Sequence, residues 1–292
     1  MNKFAIRTKG LKKTYAHGKE AVKGIDLEVQ KGSVYVFLGR NGAGKTTTIR
    51  MLLGLLEKSS GDVEILGVDP EKSPELVKSK VGYVSENQKM YDWMTVAETL
   101  RFCRSFYKNW DDKLADELLS RFSLPRNPTL KELSRGMYAQ VALIIAMCHN
   151  PELLILDDPT SGLDSIVRRE FMESIAGALA VEERTVFFST HIVNEVESIS
   201  DWAGIMRDGE LIVSRPVEEL KKSHRKIGLV FEGDIPPDIS FPEIIRQESA
   251  GHELTLTVKD YTDELLLKLS RYAPKSVETI GMSLEDIFIS RV

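Results

Sequence analysis

Residues 39 to 46 constrain this chain more than any other stretch. They read Gly39-Arg40-Asn41-Gly42-Ala43-Gly44-Lys45-Thr46, fill every fixed position of the phosphate-loop pattern G-x-x-x-x-G-K-[ST], and follow directly on the apolar run Val34 to Leu38. A buried strand that hands a glycine-rich loop to a helix start suits a nucleoside triphosphate, because residues without a Cβ let backbone N–H groups converge on anionic oxygens. Gly39, Gly42 and Gly44 are those residues. Arg40, Asn41 and Ala43 fill the loop between them, and Thr47 continues it into a helix that begins near Lys45. That helix turns its positive dipole end toward the same anion. Lys45 is then in reach of the β- and γ-phosphates, and Thr46 offers a hydroxyl to Mg2+.

The chain has 292 residues, more than one average domain, which predicts a large core with an unequal second domain. A net charge of -5 argues against a nucleic-acid coat, which needs clustered Lys and Arg; basic stretches such as Lys221 to Lys226 are short. Cys103 and Cys148 lack metal-ligand spacing and read as reduced thiols, which suits the cytoplasm. Met1 to Lys13 lacks the apolar core of a secretory signal. No apolar run reaches the roughly 20 residues that span a bilayer as a helix. The longest candidate, Val141 to Cys148, reads as a buried helix, so any membrane role comes through a partner.

Alternation predicts antiparallel strands at Phe4 to Thr8 and Ile25 to Val29, with Lys31-Gly32 turning into the buried strand Val34 to Leu38. Thr46 to Leu56 reads as a helix and Asp62 to Leu66 as a short strand closed by Gly67. Helical periods follow over about 88–150, broken by loops at Trp110 to Asp112 and Leu124 to Thr129. Leu153 to Asp158 and Thr185 to Ser189 are short apolar runs with polar ends, as expected of central parallel strands that carry a site at their carboxyl ends. Asp208-Gly209 marks a hairpin between Ala203 to Met206 and Glu210 to Ser214. Pro216 to Ser223 reads as a linking helix. Strands at Ile227 to Phe231 and Glu253 to Lys259, a helix at Tyr261 to Tyr272, and a last helix capped by Ser283 and Asp286 complete the chain.

A phosphate loop alone names a large group of proteins, and the residues downstream decide among them. Leu153 to Asp157 is an apolar strand ending in a carboxylate, which places Asp157 to hold Mg2+ directly or through water. Asp158 follows at once and can act as general base on the attacking water, provided its side chain reaches the γ-phosphate. His191 follows a strand and precedes a helix, a place that suits either a structural histidine or one that donates to a phosphate. His17, His149, His224 and His252 have no such setting and read as structural or surface residues.

With these motifs, residues 3 to 215 resemble an ATP-binding cassette (ABC) ATPase, the nucleotide-binding subunit of a transporter. Leu133-Ser134-Arg135-Gly136-Met137 stands in the place of the family signature L-S-G-G-Q, Ser161-Gly162-Leu163-Asp164 matches its D-loop, and Ser189-Thr190-His191 its switch histidine. Tyr15 falls where the family stacks an aromatic ring on adenine, and Glu86 where it usually carries the Gln of the Q-loop. The resemblance implies an α/β fold: a P-loop NTPase cassette over 1–220, with a mixed-sheet core, an antiparallel β-subdomain and a helical subdomain. A small α+β accessory domain is expected over 221–292. It further implies ATP as substrate, Mg2+ held by Thr46, Glu86 and Asp157, and a second cassette whose Ser134 and Gly136 close on the bound nucleotide. The expected partner is an integral membrane permease at the inner face of the cell membrane. Tyr91 to Glu98 is similar to the segment that docks a permease's coupling helix, and it reads equally as helix packing.

Three positions depart from the family pattern: Asp158 replaces Glu, Arg135 and Met137 replace Gly and Gln, and Glu86 replaces Gln. A carboxylate one methylene shorter predicts weaker hydrolysis, each tenfold loss in rate corresponding to about 1.36 kcal/mol of barrier. Arg135 adds positive charge beside a phosphate site. The C-terminal region resembles the extra domain of drug- and peptide-type exporters, and Ser283 to Phe288 its terminal motif. A soluble ABC ATPase and a regulatory subunit with little turnover stand as alternatives.

Overall fold

Strand β1 (Phe4–Thr14) organises the first layer, pairing antiparallel with β2 (Glu20–Ile25) along its second half and with β3 (Glu28–Gln30) along its first. Ile25 to Val29 is therefore not one strand. The break at Asp26-Leu27 is stabilised by the buried Thr8 hydroxyl, which donates to the Ile25 carbonyl (2.8 Å) and accepts from the Leu27 N–H (2.9 Å). The Asp26 carboxylate accepts from the Gly10 N–H across the same gap at 2.6 Å. The computed structural model describes residues 3–181 and 184–292, and the chain divides into two units, Met1–Ser214 and Arg215–Val292.

In the first unit, β4 (Val34–Gly39) is buried at every residue and leads through the phosphate loop into α1 (Lys45–Leu52). The helix stops four residues short of the expected Leu56. Gly54 turns the chain at φ +65, and a Cβ there would lie 2.9 Å from the Pro70 carbonyl oxygen, so the sharp exit depends on its absence. Strand β5 (Ser60–Ile65) returns to pair with β1. Helix α2 (Pro74–Lys80) and β6 (Val81–Val84) follow. Both were invisible to periodicity, since seven and four residues carry little of it.

The helical region comprises α3 (Val96–Arg104), α4 (Asp112–Arg121), a 3-10 turn at Leu130–Glu132, and α5 (Arg135–Cys148). Thr95 and Glu98 form a reciprocal capping box on α3, and Asp111 and Ser134 cap α4 and α5. Helix α5 is nearly all apolar because it is buried around most of its circumference, packing on α4, α3 and β6. Strand β7 (Leu153–Asp157), α6 (Ser165–Val181), β8 (Thr185–Thr190), β9 (Trp202–Arg207) and β10 (Glu210–Pro216) complete the six-stranded sheet, in the order β10-β9-β4-β8-β7-β6. The pairs β6/β7, β7/β8, β8/β4 and β4/β9 are parallel. Strands β4, β7 and β8 are buried at every position, which accounts for their unbroken apolar runs.

The second unit contains α7 (Val217–Ser223), β11 (Arg225–Val230), β12 (Ile244–Ala250), β13 (Glu253–Val258), α8 (Asp263–Ser270), β14 (Ser276–Gly281) and α9 (Leu284–Arg291). Its sheet runs β12-β13-β11-β14, antiparallel throughout. The core gathers Ile227, Leu229, Leu254, Leu256 and Val258 under Leu265 and Leu269 of α8. The sequence signal covered the central strands and missed both edges: β14 is exposed at every residue and β12 at most, so neither needs an apolar alternation.

Gly82 of β6 faces α5 so closely that a Cβ would overlap the Ala146 carbonyl oxygen. Gly82→Ala is expected to destabilise the protein by about 1–3 kcal/mol in urea unfolding, the usual cost of overpacking. Gly228→Ala, where the nearest atom lies 4.0 Å away, is the control and should unfold like the parent.

Candidate functional site

Parallel register brings the polar strand ends together. Leu38 of β4 pairs with Thr190 of β8, and Asp157 of β7 pairs with Ser189 of β8, so the phosphate loop, the two aspartates and His191 emerge side by side at the carboxyl edge. Val84, near the end of β6, pairs with Leu156 and delivers Glu86 to the same edge. A cavity of about 520 Å³ lies there, lined by Tyr15, Asn41, Gly42, Gly44, Lys45, Thr46, Thr47, Glu86 and Asp158, together with Lys19 and Ala21. Lys19 and Ala21 had no sequence signal: Lys19 lies in the β1–β2 turn and Ala21 at the start of β2.

The loop geometry depends on glycine at two places. Gly42 and Gly44 take φ of +85 and +110, and a Cβ on Gly44 would press on the Ala21 carbonyl oxygen and the Met206 side chain. Gly39 ends β4 against Met206, Ala43 is buried, and Arg40 is exposed. Lys45 is 6% exposed and donates from Nζ to the Gly39 carbonyl at 2.7 Å. Burial pulls its pKa down, opposed by the charges of Asp158, Asp157 and Glu86.

Asp157 is buried. Its Oδ1 accepts from Ser189 Oγ (2.7 Å) and Thr46 Oγ1 (3.2 Å), while Oδ2 has no hydrogen-bond partner. Burial pushes this carboxyl's pKa up, with Ser189, Thr46 and Lys45 pulling it back. An orphaned carboxylate oxygen beside the Thr46 hydroxyl, with Glu86 on the cavity wall, is a hard-oxygen set that fits Mg2+. Among the described residues no group of three or more His, Cys, Asp or Glu forms an all-protein metal cage. A cation held by these donors would draw its remaining ligands from phosphate oxygens and water.

Asp158 adopts φ +46, a left-handed conformation uncommon outside glycine. Its N–H is held by the Ser189 carbonyl at 3.0 Å. The bend aims the side chain at His191, whose Nδ1 lies 2.7 Å from Asp158 Oδ2, and leaves Oδ1 without a partner. With the carboxylate ionised, Nδ1 carries the proton and Nε2 is left for another ligand.

Tyr15 is 41% exposed at the mouth, its hydroxyl 3.4 Å from Thr47 Oγ1, with the Lys13 ammonium 5.6 Å above one ring face. Its position allows a base to lie on the ring. Ser134 and Gly136 do not line this cavity. Ser134 caps α5 by accepting from the Met137 N–H at 3.2 Å, and Gly136 is packed against Val167. The Arg135 guanidinium lies against Gly162, which takes φ +72 and has no room for a Cβ. Ser189, which grips both aspartates, is named by sequence only as part of the Ser189-Thr190-His191 motif, and Thr160, Arg168 and Glu195 behind them carry no sequence signal. A hydroxyl in an apolar strand and a carboxylate four residues beyond a histidine are common features.

A family model for the ABC transporter matches residues 22–161. The bacitracin transport ATP-binding protein BcrA of Bacillus licheniformis is 39% identical over 225 residues, covering 76% of this chain and 72% of that one. The ABC transporter ATP-binding protein YtrB of Bacillus subtilis is 28% identical over 274 residues, 94% of each chain. Among solved structures, the "Dimeric Structure of MJ0796, a Bacterial ABC Transporter Cassette" superposes with a TM-score of 0.65 at 24% identity, covering 72% of this chain and 98% of that one.

The buried Asp157 carboxylate carries a stability cost. Because its pKa is raised in the folded state, the fold binds the proton more tightly than the unfolded chain, and stability falls as pH rises through the folded value. Without nucleotide or metal, Asp157→Asn is expected to raise Tm at pH 7 by about 2–4 °C, equivalent to ~1 kcal/mol in a protein of this size. The gain should shrink as pH falls through the folded pKa and the parent carboxyl takes up its proton. Thermal melts at pH 7 and in mild acid check both parts.

Proposed function

The chain belongs to the ABC transporter ATP-binding proteins, and we propose that it hydrolyses MgATP as one of a pair of cassettes to drive a separate membrane permease, in the direction of export. One observation carries the hydrolytic reading. The phosphate loop, Asp157 joined to Thr46, and the Asp158–His191 pair share one polar edge, where the phosphate loop, Thr46, Glu86 and Asp158 face a single cavity.

The residues divide the work as follows. Backbone N–H groups of Gly42 to Thr46 and the α1 dipole hold the phosphate oxygens, and Lys45 turns from the Gly39 carbonyl to the β- and γ-phosphates. Thr46, Glu86 and Asp157 would hold Mg2+, which would supply positive charge to offset that of the phosphates. Asp158, on the cavity wall, orients the attacking water and accepts its proton as the water oxygen bonds to the γ-phosphorus and the bond to the β-phosphate oxygen breaks, releasing ADP and phosphate. His191 is kept in place by Asp158 and presents Nε2 to the γ-phosphate; as the imidazolium it donates from both nitrogens. Ser134 and Gly136 act on the nucleotide of the opposite cassette. Their absence from their own cavity fits that role, as does the dimeric cassette among the structural relatives.

An exposed aromatic ridge supports the permease. Tyr91, Trp93, Phe102 and Phe106 form a chain of ring contacts, with Trp93 69% and Phe106 68% exposed. Apolar rings in water at this density suit a docking surface. No described helix is long and apolar enough to cross a membrane, so the bilayer is reached through that partner. The export direction rests on the resemblance of the C-terminal unit, which we assign as an accessory domain, to the extra domain of drug- and peptide-type exporters. The short reach of Asp158 favours slow turnover, and a regulatory subunit with little hydrolysis is the second reading.

Lys45→Ala and Asp158→Asn are each expected to lower steady-state ATP hydrolysis at least tenfold, a loss of about 1.4 kcal/mol or more in the barrier. Asp158→Asn with saturating MgATP should elute as a dimer on sizing columns. Hydrolysis by Asp158→Asn at the parent rate removes the assigned base, and a persistent monomer removes the closed pair.

A further inference from the structure

The loops that carry Asp158 and His191 are tied together twice. The first tie is the Asp158–His191 contact itself. The second lies behind it and uses no residue that lines the nucleotide cavity. Thr160, fully buried two residues past Asp158, donates from Oγ1 to Glu195 Oε2 at 2.8 Å. Arg168, in the first turn of α6, places Nε 2.9 Å from Glu195 Oε1 and donates from a terminal nitrogen to the Leu163 carbonyl at 2.9 Å. The Arg168 Nε contact lacks hydrogen-bond alignment, so charge holds it. The Glu195 side chain is 10% exposed. Burial pushes its pKa up, and Thr160 and Arg168 oppose that shift.

Glu195 ends a 3-10 turn, Val193–Glu195, that begins two residues after His191. The entry to that turn is braced where the Ile192 N–H donates to the Thr190 hydroxyl at 3.0 Å. A displacement of Glu195 is therefore not absorbed by slack chain before it reaches His191. A carboxylate taken out of water needs compensating partners, and here both the Thr160 hydrogen bond and the Arg168 charge come from the segment 160–168 that follows Asp158.

We infer that Glu195 is a positioning residue: through Thr160 and Arg168 it locks the segment after Asp158 to the turn after His191, and so sets the geometry of the Asp158–His191 pair. Movement of the 160–164 loop then reaches His191 through Glu195. The consequence for turnover rests on the proposed roles of Asp158 and His191; the mechanical coupling does not.

Glu195→Gln tests it, because glutamine keeps the length and an acceptor for Thr160 while removing the charge that faces Arg168. The chain has five histidines, and the imidazole signal of His191 in proton–carbon NMR is identified by its loss in His191→Ala. At fixed pH and without nucleotide, Glu195→Gln and Arg168→Ala are expected to shift that signal, leave the remaining histidine signals in place, and be mimicked only weakly by Arg168→Lys. In steady state, Glu195→Gln should lower kcat about tenfold with KM for ATP within about twofold, as expected when a transition-state contact is lost and binding is kept. An unmoved His191 signal in folded Glu195→Gln overturns the inference, whatever the rate. Glu195 also acts on His191 by charge, so Thr160→Val, which removes only the donor and keeps that charge, is expected to shift the same signal, and an unmoved signal in folded Thr160→Val overturns the inference; the same reading stands if Glu195→Gln fails to fold. A parent protein that does not hydrolyse ATP overturns the proposed function and leaves the NMR result to decide the positioning role.

Discussion

The pairing of Asp157 with Ser189 at the carboxyl edge of the parallel sheet is the interaction on which the rest of the site depends. Ser189 donates to Asp157 Oδ1, and its carbonyl and hydroxyl oxygens lie 3.0 and 3.2 Å from the Asp158 N–H. One residue of β8 thus sets the orientation of both aspartates. Parallel ladders make this possible because neighbouring strands end on the same side, so polar residues that close separate apolar runs meet without further design. A one-residue slip between β7 and β8 would turn Ser189 to the opposite face and leave Asp157 without its strongest donor.

Charge in this region is concentrated and poorly hydrated. Lys45, Asp157 and Asp158 are each at most 6% exposed. Burial drives Lys45 and Asp157 toward neutrality in opposite directions, and their mutual attraction opposes both shifts. Two carboxylate oxygens, one on each aspartate, have no hydrogen-bond partner. In a buried setting such atoms are costly unless something else binds them. The fold can hold them because β4, β7 and β8 bury every residue and supply apolar packing around them. Stability is thereby given up locally where a phosphate and a cation would restore it.

Much of the first unit was legible in the chain itself. The strand–loop–helix context of residues 34–52 and the apolar strand that ends at Asp157 follow from short-range pattern, and the order of motifs along the chain carries the resemblance to its family. Apolar runs report fully buried strands directly, and glycine positions report backbone that no other residue adopts. Less was legible where tertiary burial is slight. The edge strands β12 and β14 face solvent and carry no alternation, α2 and β6 are too short to show a period, and the kink at Asp26 depends on Thr8, seventeen residues from Ile25 in sequence.

The sequence by itself determined the chemistry available: a loop able to cradle phosphates, acidic and hydroxyl side chains suited to a hard cation, and a histidine at a strand end. Tertiary structure alone decided which of these face one another. Asp158 was recognisable as a carboxylate, yet its left-handed backbone and its 2.7 Å approach to His191 could not be read from either segment. The tie between Thr160, Arg168 and Glu195 is likewise made by residues that no local pattern joins. The reason is physical: propensity and periodicity act over a few residues along the chain, whereas distances across the sheet are set by the register of strands whose pairing every buried side chain helps to choose.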